Sequence, residues 1–592
     1  MGKTRQRLTT LFTIIGIVTT VLVMAMGAVV TCTFVTRDRV AEHTILELRL
    51  DRPLANPGSD DPLALLTGGS GLTWLQVVEA LERGAHDERV VGVVAYIDGT
   101  SHGMAHVEEL RDAIVAFRAA GKPAIAFAET MGGAGPGTQG YYLATAFDEI
   151  YLQPSGELGL AGLRSERMFL RGTFDMVDAV PQGGRRSEYK SFYETYAERH
   201  MSAASREQTE VMLADMHAQL VSAIAPRVGD DLARARAVIE QGPYLAAEAL
   251  EHGLIDGLAY RDQMLATVQE RVGGEAERLY PEAYLERAGR AWAEGSVIAI
   301  IHGNGGIVRG PGDYDPIERE SSMGAQTVVA AFTAAVEDPE VEAIVFRVNS
   351  PGGSAVASDA MWRATQKARE AGKPVVVSMG NYAASGGYYV SAGATKIVAQ
   401  PSTVTGSIGV VAFKLATRGV WNKVGVTWDF VQTSPNAATW NTLDPDGPEG
   451  RAHLERSLDQ TYADFKQRVA DGRDMSLLEV ERVARGRVWT GMRAQQEGLV
   501  DVLGGLPTAI ALAKQEAGID EDADVELRTF PLSKGMLAQL LSGGPDNSDR
   551  VTARDRVDAG LERWREAAGT LREVVQASGD AGALTMVPMR VE

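Results

Sequence analysis

A single cysteine among 592 residues, Cys32, rules out an intrachain disulfide framework and any Cys-rich zinc or iron–sulfur centre. No G-x-x-x-x-G-K-[ST] phosphate loop and no H-E-x-x-H zinc motif occurs, and the nine histidines are scattered. No metal or cofactor is therefore expected. Gly135–Gly140 fits G-x-G-x-x-G, but Pro136 removes one of the N–H donors that a pyrophosphate would need, and an internal repeat explains the stretch better. A net charge of −20 and a pI near 5.1 argue against nucleic acid as a partner. Lysine is scarce, with 11 residues against 47 arginines.

What is present begins with length, which is too great for one ordinary core and predicts at least two domains. With 45% hydrophobic and 23% charged residues, most of the chain reads as water-soluble and globular. The exception is Leu8–Thr36, which carries no charge and is long enough to cross a bilayer as one helix. Lys3, Arg5 and Arg7 precede it, so residues 1–7 are expected in the cytoplasm and the rest outside, making a single-pass protein of the cytoplasmic membrane. A cleaved signal peptide ending near Ala25–Ala28, or lipidation at Cys32, are the competing readings.

The chain also repeats itself. VVEALERGAHDERVVGVVAYIDG from Val77 recurs as VVAAFTAAVEDPEVEAIVFRVNS from Val328, and AAGKPAIAF (Ala119–Phe127) recurs as EAGKPVVVS (Glu370–Ser378). QGYYLATAFDEIYLQPS (Gln139–Ser155) matches GGYYVSAGATKIVAQPS (Gly386–Ser402), and EHGLIDGL (Glu251–Leu258) matches QEGLVDVL (Gln496–Leu503). These collinear matches describe two copies of one domain, placed at 42–272 and 295–519, with a helical linker at 273–294 and a tail at 520–592. Short β-branched runs alternate with helical patterns in each copy, which predicts α/β domains with mainly parallel strands.

Function is sought where the copies differ. The second copy reads NYAASGGYY (Asn381–Tyr389), with Ser385 ahead of two glycines at a predicted strand-to-helix turn, whereas the first has Thr138 at the matched place. Small residues around a serine permit a sharp turn that exposes Oγ. The bland alternative is a tight turn with an N-cap serine. NSPGGS (Asn349–Ser354) and TGSIG (Thr405–Gly409) are further strand-end turns that the first copy replaces with DGTSHG and ELGLAG. A serine nucleophile needs an adjacent base, and a lysine can be that base only when burial keeps it neutral. Lys122 and Lys373 occupy the same turn in both copies and read as structural, while Lys190 breaks the symmetry.

In NSPGG, YAASGGYY and QPSTVTGSIG the chain resembles the signal peptide peptidase A (protease IV) family in its long two-copy form, over roughly Leu8 to Gln515. The resemblance implies a fold related to ClpP and crotonase and a Ser/Lys-dyad serine endopeptidase. Ser385 would be the nucleophile and Lys190, in Glu188-Tyr189-Lys190-Ser191, the base. Ser407 would orient the lysine, and Gly386 with Gly353 or Gly352 would form the oxyanion hole. Family members often continue with Glu-Pro after this segment, where Glu194-Thr195 stands here. Apolar peptides, remnant signal peptides among them, are the implied substrates, and a membrane-tethered homotetramer the implied assembly. The competing functions are a crotonase-like acyl-CoA hydratase or isomerase and a non-catalytic membrane scaffold.

Overall fold

The computed structural model describes residues 39–531, apart from 58–71, 100–101, 134, 313, 316–319 and 440. The expected cytoplasmic end, the Leu8–Thr36 anchor and the tail beyond 531 lie outside the described residues. Among those described, no helix is long and apolar enough to cross a membrane.

Strands of the first copy are β1 (Thr44–Leu50), β2 (Val90–Ile97), β3 (Ala124–Ala128), β4 (Glu149–Leu152), β5 (Glu157–Leu158), β6 (Val180–Arg186), β7 (Tyr244–Leu245), β8 (Gly257–Leu258) and β9 (Glu277–Leu279). The second copy opens with β10 (Ser296–Asn304) and four two-residue strands, β11 (Ile307–Val308), β12 (Tyr314–Asp315), β13 (Glu320–Ser321) and β14 (Met323–Gly324). It continues with β15 (Val341–Ser350), β16 (Val375–Ala384), β17 (Lys396–Ala399), β18 (Val404–Gly406), β19 (Val410–Ala416), β20 (Val488–Thr490), β21 (Val502–Leu503) and β22 (Val525–Phe530).

The duplication is visible in topology. The first sheet runs β9-β1-β2-β3-β4-β8, and the second holds β22-β10-β15-β16-β17-β21 in the same order, all through parallel pairs. The antiparallel pair β5–β7 has its counterpart in β18–β20, which joins the second sheet through β16. Strands covered on both faces explain the dense β-branched runs. Leu46, Leu48 and Leu50 enter one core while Ile45 enters another on the opposite face; Ile344, Phe346 and Val348 are divided from Ala343 and Val345 in the same way.

Two expected boundaries move. Residues 273–294, expected as a helical linker, hold a helix and also a strand: β9 is the edge of the first sheet, and Tyr284, on the helix Pro281–Ala288, is fully buried in its core and donates its hydroxyl to Asp87. The tail does not begin at 520, because β22 is the matching edge of the second sheet, paired with β10 from Ser296 to Ile301. Both strands are recruited by a sheet edge far away in sequence, which local patterning does not report.

The copies are tied together. β6 of the first pairs antiparallel with β19 of the second, from Val180 opposite Ala416 to Arg186 opposite Val410. Helix Met104–Ala119 of the first copy packs on β16, and its Glu108 accepts hydrogen bonds from Ser402 N and Oγ in the turn between β17 and β18. Both copies lie within one compact unit.

Candidate active site

The β6–β19 ribbon sets the site. Lys190 follows β6 by four residues and Ser407 precedes β19 by three, so antiparallel pairing of the two strands brings their flanking loops together. Lys190 is 5% exposed, and its Nζ lies 2.9 Å from Ser385 Oγ, 2.9 Å from Ser407 Oγ and 2.7 Å from the Ser407 carbonyl. Burial alone lowers this amine from its ordinary 10.5 to about 7. An amine in that range can accept a proton at neutral pH.

Ser385 stands between β16 and the helix Gly386–Ala392, with φ 55° and ψ −117°, a conformation that a non-glycine residue rarely adopts. Its N–H donates to Gly406 O at 2.8 Å, and its carbonyl accepts from Tyr389 N at 2.9 Å, which hold the turn against that cost. The carbonyl side of the site is a glycine corner. A Cβ on Gly386 would come within 2.6 Å of Ser358 Oγ and 3.2 Å of Gly353 N, so only glycine lets these two backbone segments approach. Gly352 N–H is already donated to Ser350 Oγ at 3.2 Å. The parallel bridge of Ile307 with Gly353 uses the N–H groups of Ile307 and Ser354, and so turns the Gly353 N–H the other way.

The lysine loop stays anchored without the family's proline. Glu194, 1% exposed, accepts from Arg185 at 2.7 Å and from Ser202 Oγ at 2.6 Å. Lys122 and Lys373 make matched contacts, each amine donating to two main-chain carbonyls: Gly84 and Asp87 for one, Ala335 and Asp338 for the other. Thr138 is buried with its hydroxyl bonded to Gly162 O and Ala161 N. Among the described residues no cluster of His, Cys, Asp and Glu could hold a metal ion.

The sequence left other contributors unread. Asn381, four residues before Ser385, is gripped by the first copy: its Oδ1 accepts from His106 N at 3.0 Å and its Nδ2 donates to His102 O at 3.1 Å. Gln208 and Asp215, on the helix Ala203–Ile224, reach β20 at its Val488 and Thr490 ends. A lone amide or carboxylate in a helical pattern carries no mark of a partner some 280 residues away.

Comparison with known proteins follows the same outline. The profile of Peptidase family S49 matches residues 116–274 and 367–520, once in each copy. The chain is 33% identical to the chloroplastic serine protease SPPA of Arabidopsis thaliana, over 80% of its own length and 70% of that protein's. It is 33% identical to Protease 4 of Salmonella typhi (75% and 72%) and 30% identical to Protease 4 of Haemophilus influenzae (77% and 75%). A mutant ClpP1 from Listeria monocytogenes aligns with 36% of this chain and 94% of that one at 12% identity and a TM-score of 0.22, too distant to argue the fold from. The relatives do not favour a hydratase or a scaffold. With both copies matched and peptidases aligned over three quarters of its length, this chain belongs to peptidase family S49 and is a serine-type peptidase of the SppA/Protease 4 kind.

Proposed function

We propose that the peptidase works through a Ser385–Lys190 dyad on apolar peptides, cleaved signal peptides among them, at the outer side of the cytoplasmic membrane. The observation that carries this reading is the 2.9 Å contact of Lys190 Nζ with Ser385 Oγ. Neutral Lys190 takes the Ser385 proton as Oγ attacks the scissile carbonyl. Ser407 Oγ and its carbonyl hold the amine in line. Gly386 and Gly353 N–H groups receive the developing oxyanion, and Gly353 is preferred to Gly352, whose N–H is occupied. The ammonium then protonates the leaving amine, and water, with the lysine again as base, hydrolyses the acyl-enzyme.

Each copy is read as one ClpP/crotonase-type domain, the first lending the base and the second the nucleophile. The uncharged Leu8–Thr36 segment supports a membrane tether. Trp421, Val424, Trp428, Phe430 and Val431 are all exposed, and this apolar run supports assembly with further copies, which the resemblance sets at four. Light scattering of the detergent-solubilised protein should give four chains; a fully active monomer would refute the assembly.

The test of the chemistry is a fluorophosphonate probe followed by peptide mapping, with labelling rates measured across pH. Label is expected on Ser385, with a rate that rises about tenfold per pH unit below about 7 and levels above it, because only the neutral amine accepts a proton. Label on another serine, or a rate flat from pH 5 to 9, overturns the dyad. Apolar signal-peptide sequences should be cleaved in preference to polar peptides of equal length.

A further inference from the structure

Among the described residues Lys190 has no carboxylate partner to fix it. The charged groups around its loop are spent on one another: Glu188 on Arg485, Glu194 on Arg185, and Glu207 on Arg487, whose guanidinium also stacks over Tyr189. The amine therefore depends on the backbone to either side of it and on the exclusion of water.

Gln208 holds that segment on both sides, through a main-chain carbonyl before the lysine and a side-chain hydroxyl after it. It is 4% exposed, and its Nε2 donates to Tyr189 O at 3.2 Å and Ser191 Oγ at 3.1 Å, the residues immediately before and after Lys190. Its Oε1 accepts from Val488 N at 3.3 Å. A carbonyl on one side and an N–H on the other fix which end of the amide is which. Val488 is opposite Gly406 in the β18–β20 pair, and Ser407 N donates to Arg487 O at 2.7 Å, so β20 is also the support of the serine that contacts the lysine. Two turns further along the same helix, Asp215 accepts from Thr490 Oγ1 at 2.9 Å and from Arg493 Nη2 at 2.7 Å, anchoring the helix to the far end of β20. On the other side Gly486 presses against the Lys190 main chain, where a Cβ would come within 2.6 Å of Lys190 N.

We propose that Gln208 is a positioning residue: a neutral amide that clamps the Lys190 loop of the first copy onto the Ser407 support of the second and keeps water and anions from the amine. The inference rests on the reading of Lys190 as the base. Neutrality is essential to it, because a carboxylate of the same size could keep the contacts to the Ser191 hydroxyl and the Val488 N–H while placing an anion against the residues that flank the lysine, which would favour the ammonium form.

The experiment measures kcat and KM from pH 5 to 10 for full-length wild type, Gln208→Glu, Gln208→Ala and Lys190→Ala. Gln208→Glu is expected to move the midpoint of kcat/KM upward by about one pH unit, cutting kcat about fivefold at pH 7 with KM within about twofold, and to recover above pH 9. Gln208→Ala should move it the same way by less, as water enters the loop, with a residual loss of rate that alkali does not restore. A wild-type midpoint in both variants, or a loss of equal size at every pH in both, overturns the assignment. If Gln208→Glu does not fold, Gln208→Ala alone decides by the same midpoint. Should Lys190→Ala keep the wild-type rate and profile, the dyad is wrong; should it be inactive while the Gln208 variants titrate like wild type, only the role of Gln208 falls.

Discussion

Lys190→Met is expected to abolish peptidase activity and to make the protein more stable. The loss follows from removing the amine in contact with Ser385 Oγ, and a missing general base costs about a thousandfold or more. The gain follows from burial. An amine that titrates near 10.5 in the unfolded chain and at about 7 in the fold must either give up its proton or stay charged in an apolar site, at a cost of up to ~5 kcal/mol at neutral pH. Methionine fills similar volume without that cost. It leaves Ser407 O and Oγ without their donor, which returns ~1–3 kcal/mol of the gain.

The sign against pH is fixed by the same shift. Between about 7 and 10.5 the unfolded chain binds the proton that the fold has released, so wild-type stability rises with pH across this window. The advantage of Lys190→Met is therefore greatest at pH 7 and below and shrinks toward pH 10. Thermal midpoints of the two proteins at pH 6 and pH 9 check this. A variant less stable than wild type at pH 6 would mean that Lys190 sits comfortably as an ammonium, which is incompatible with a base, and one retaining a tenth of wild-type activity would exclude the lysine outright.

Glu109→Ala is expected to be the most damaging single change to the fold away from the chemistry, at about 3–5 kcal/mol. Glu109 lies on the helix Met104–Ala119 of the first copy, fully enclosed, and meets Arg347 on β15 of the second through two hydrogen bonds of 2.6 and 3.1 Å. Leu506 N–H donates to the same carboxylate at 2.7 Å. Burial pushes the carboxyl up, but the guanidinium and these donors outweigh it and hold it below the usual carboxylate range. Alanine would strand the Arg347 charge, 9% exposed, with Ser378 Oγ as its remaining contact at 2.8 Å. The double change Glu109→Leu with Arg347→Met removes both charges and should recover most of the loss, because an apolar pair at a buried site commonly matches an ion pair. Thermal unfolding of the three proteins tests it. A Glu109→Ala midpoint equal to wild type, or a double variant no better than the single, would show that the ion pair does not hold the seam between the copies.

The damage should reach activity as well, because the seam is also the frame of the site. His106, on the same helix, donates its N–H to Asn381 on β16, the strand that leads to Ser385, and Glu108 holds Ser402 just ahead of the Ser407 turn. Loss of rate in Glu109→Ala should therefore appear at temperatures below its unfolding transition.

The sequence alone determined a large part of this. A repeat is legible because both copies must bury the same two faces of a parallel sheet, so the apolar runs recur in register. The AGKP lysines are legible as structural because symmetry between copies retains what each fold needs for itself. Ser385 stands out for the opposite reason, as a serine followed by a glycine pair in one copy only, since a strained turn imposes its requirements on neighbours adjacent in sequence.

Tertiary structure decided the rest. Val180–Arg186, with one proline, two glycines and two arginines, has no strand pattern and becomes β6 only because β19 offers it an edge. β9 and β22 are assigned in the same way by the sheets that recruit them. Local propensity is worth tenths of a kcal/mol per residue, and a vacant ladder of hydrogen bonds outweighs it. The motifs name Ser385 and Lys190, but the 195 positions between them put their meeting beyond any local pattern. What brings Nζ to Oγ, and leaves the amine dry enough to be neutral, is the crossing of one copy's ribbon into the other's, a burial that no residue specifies by its type alone.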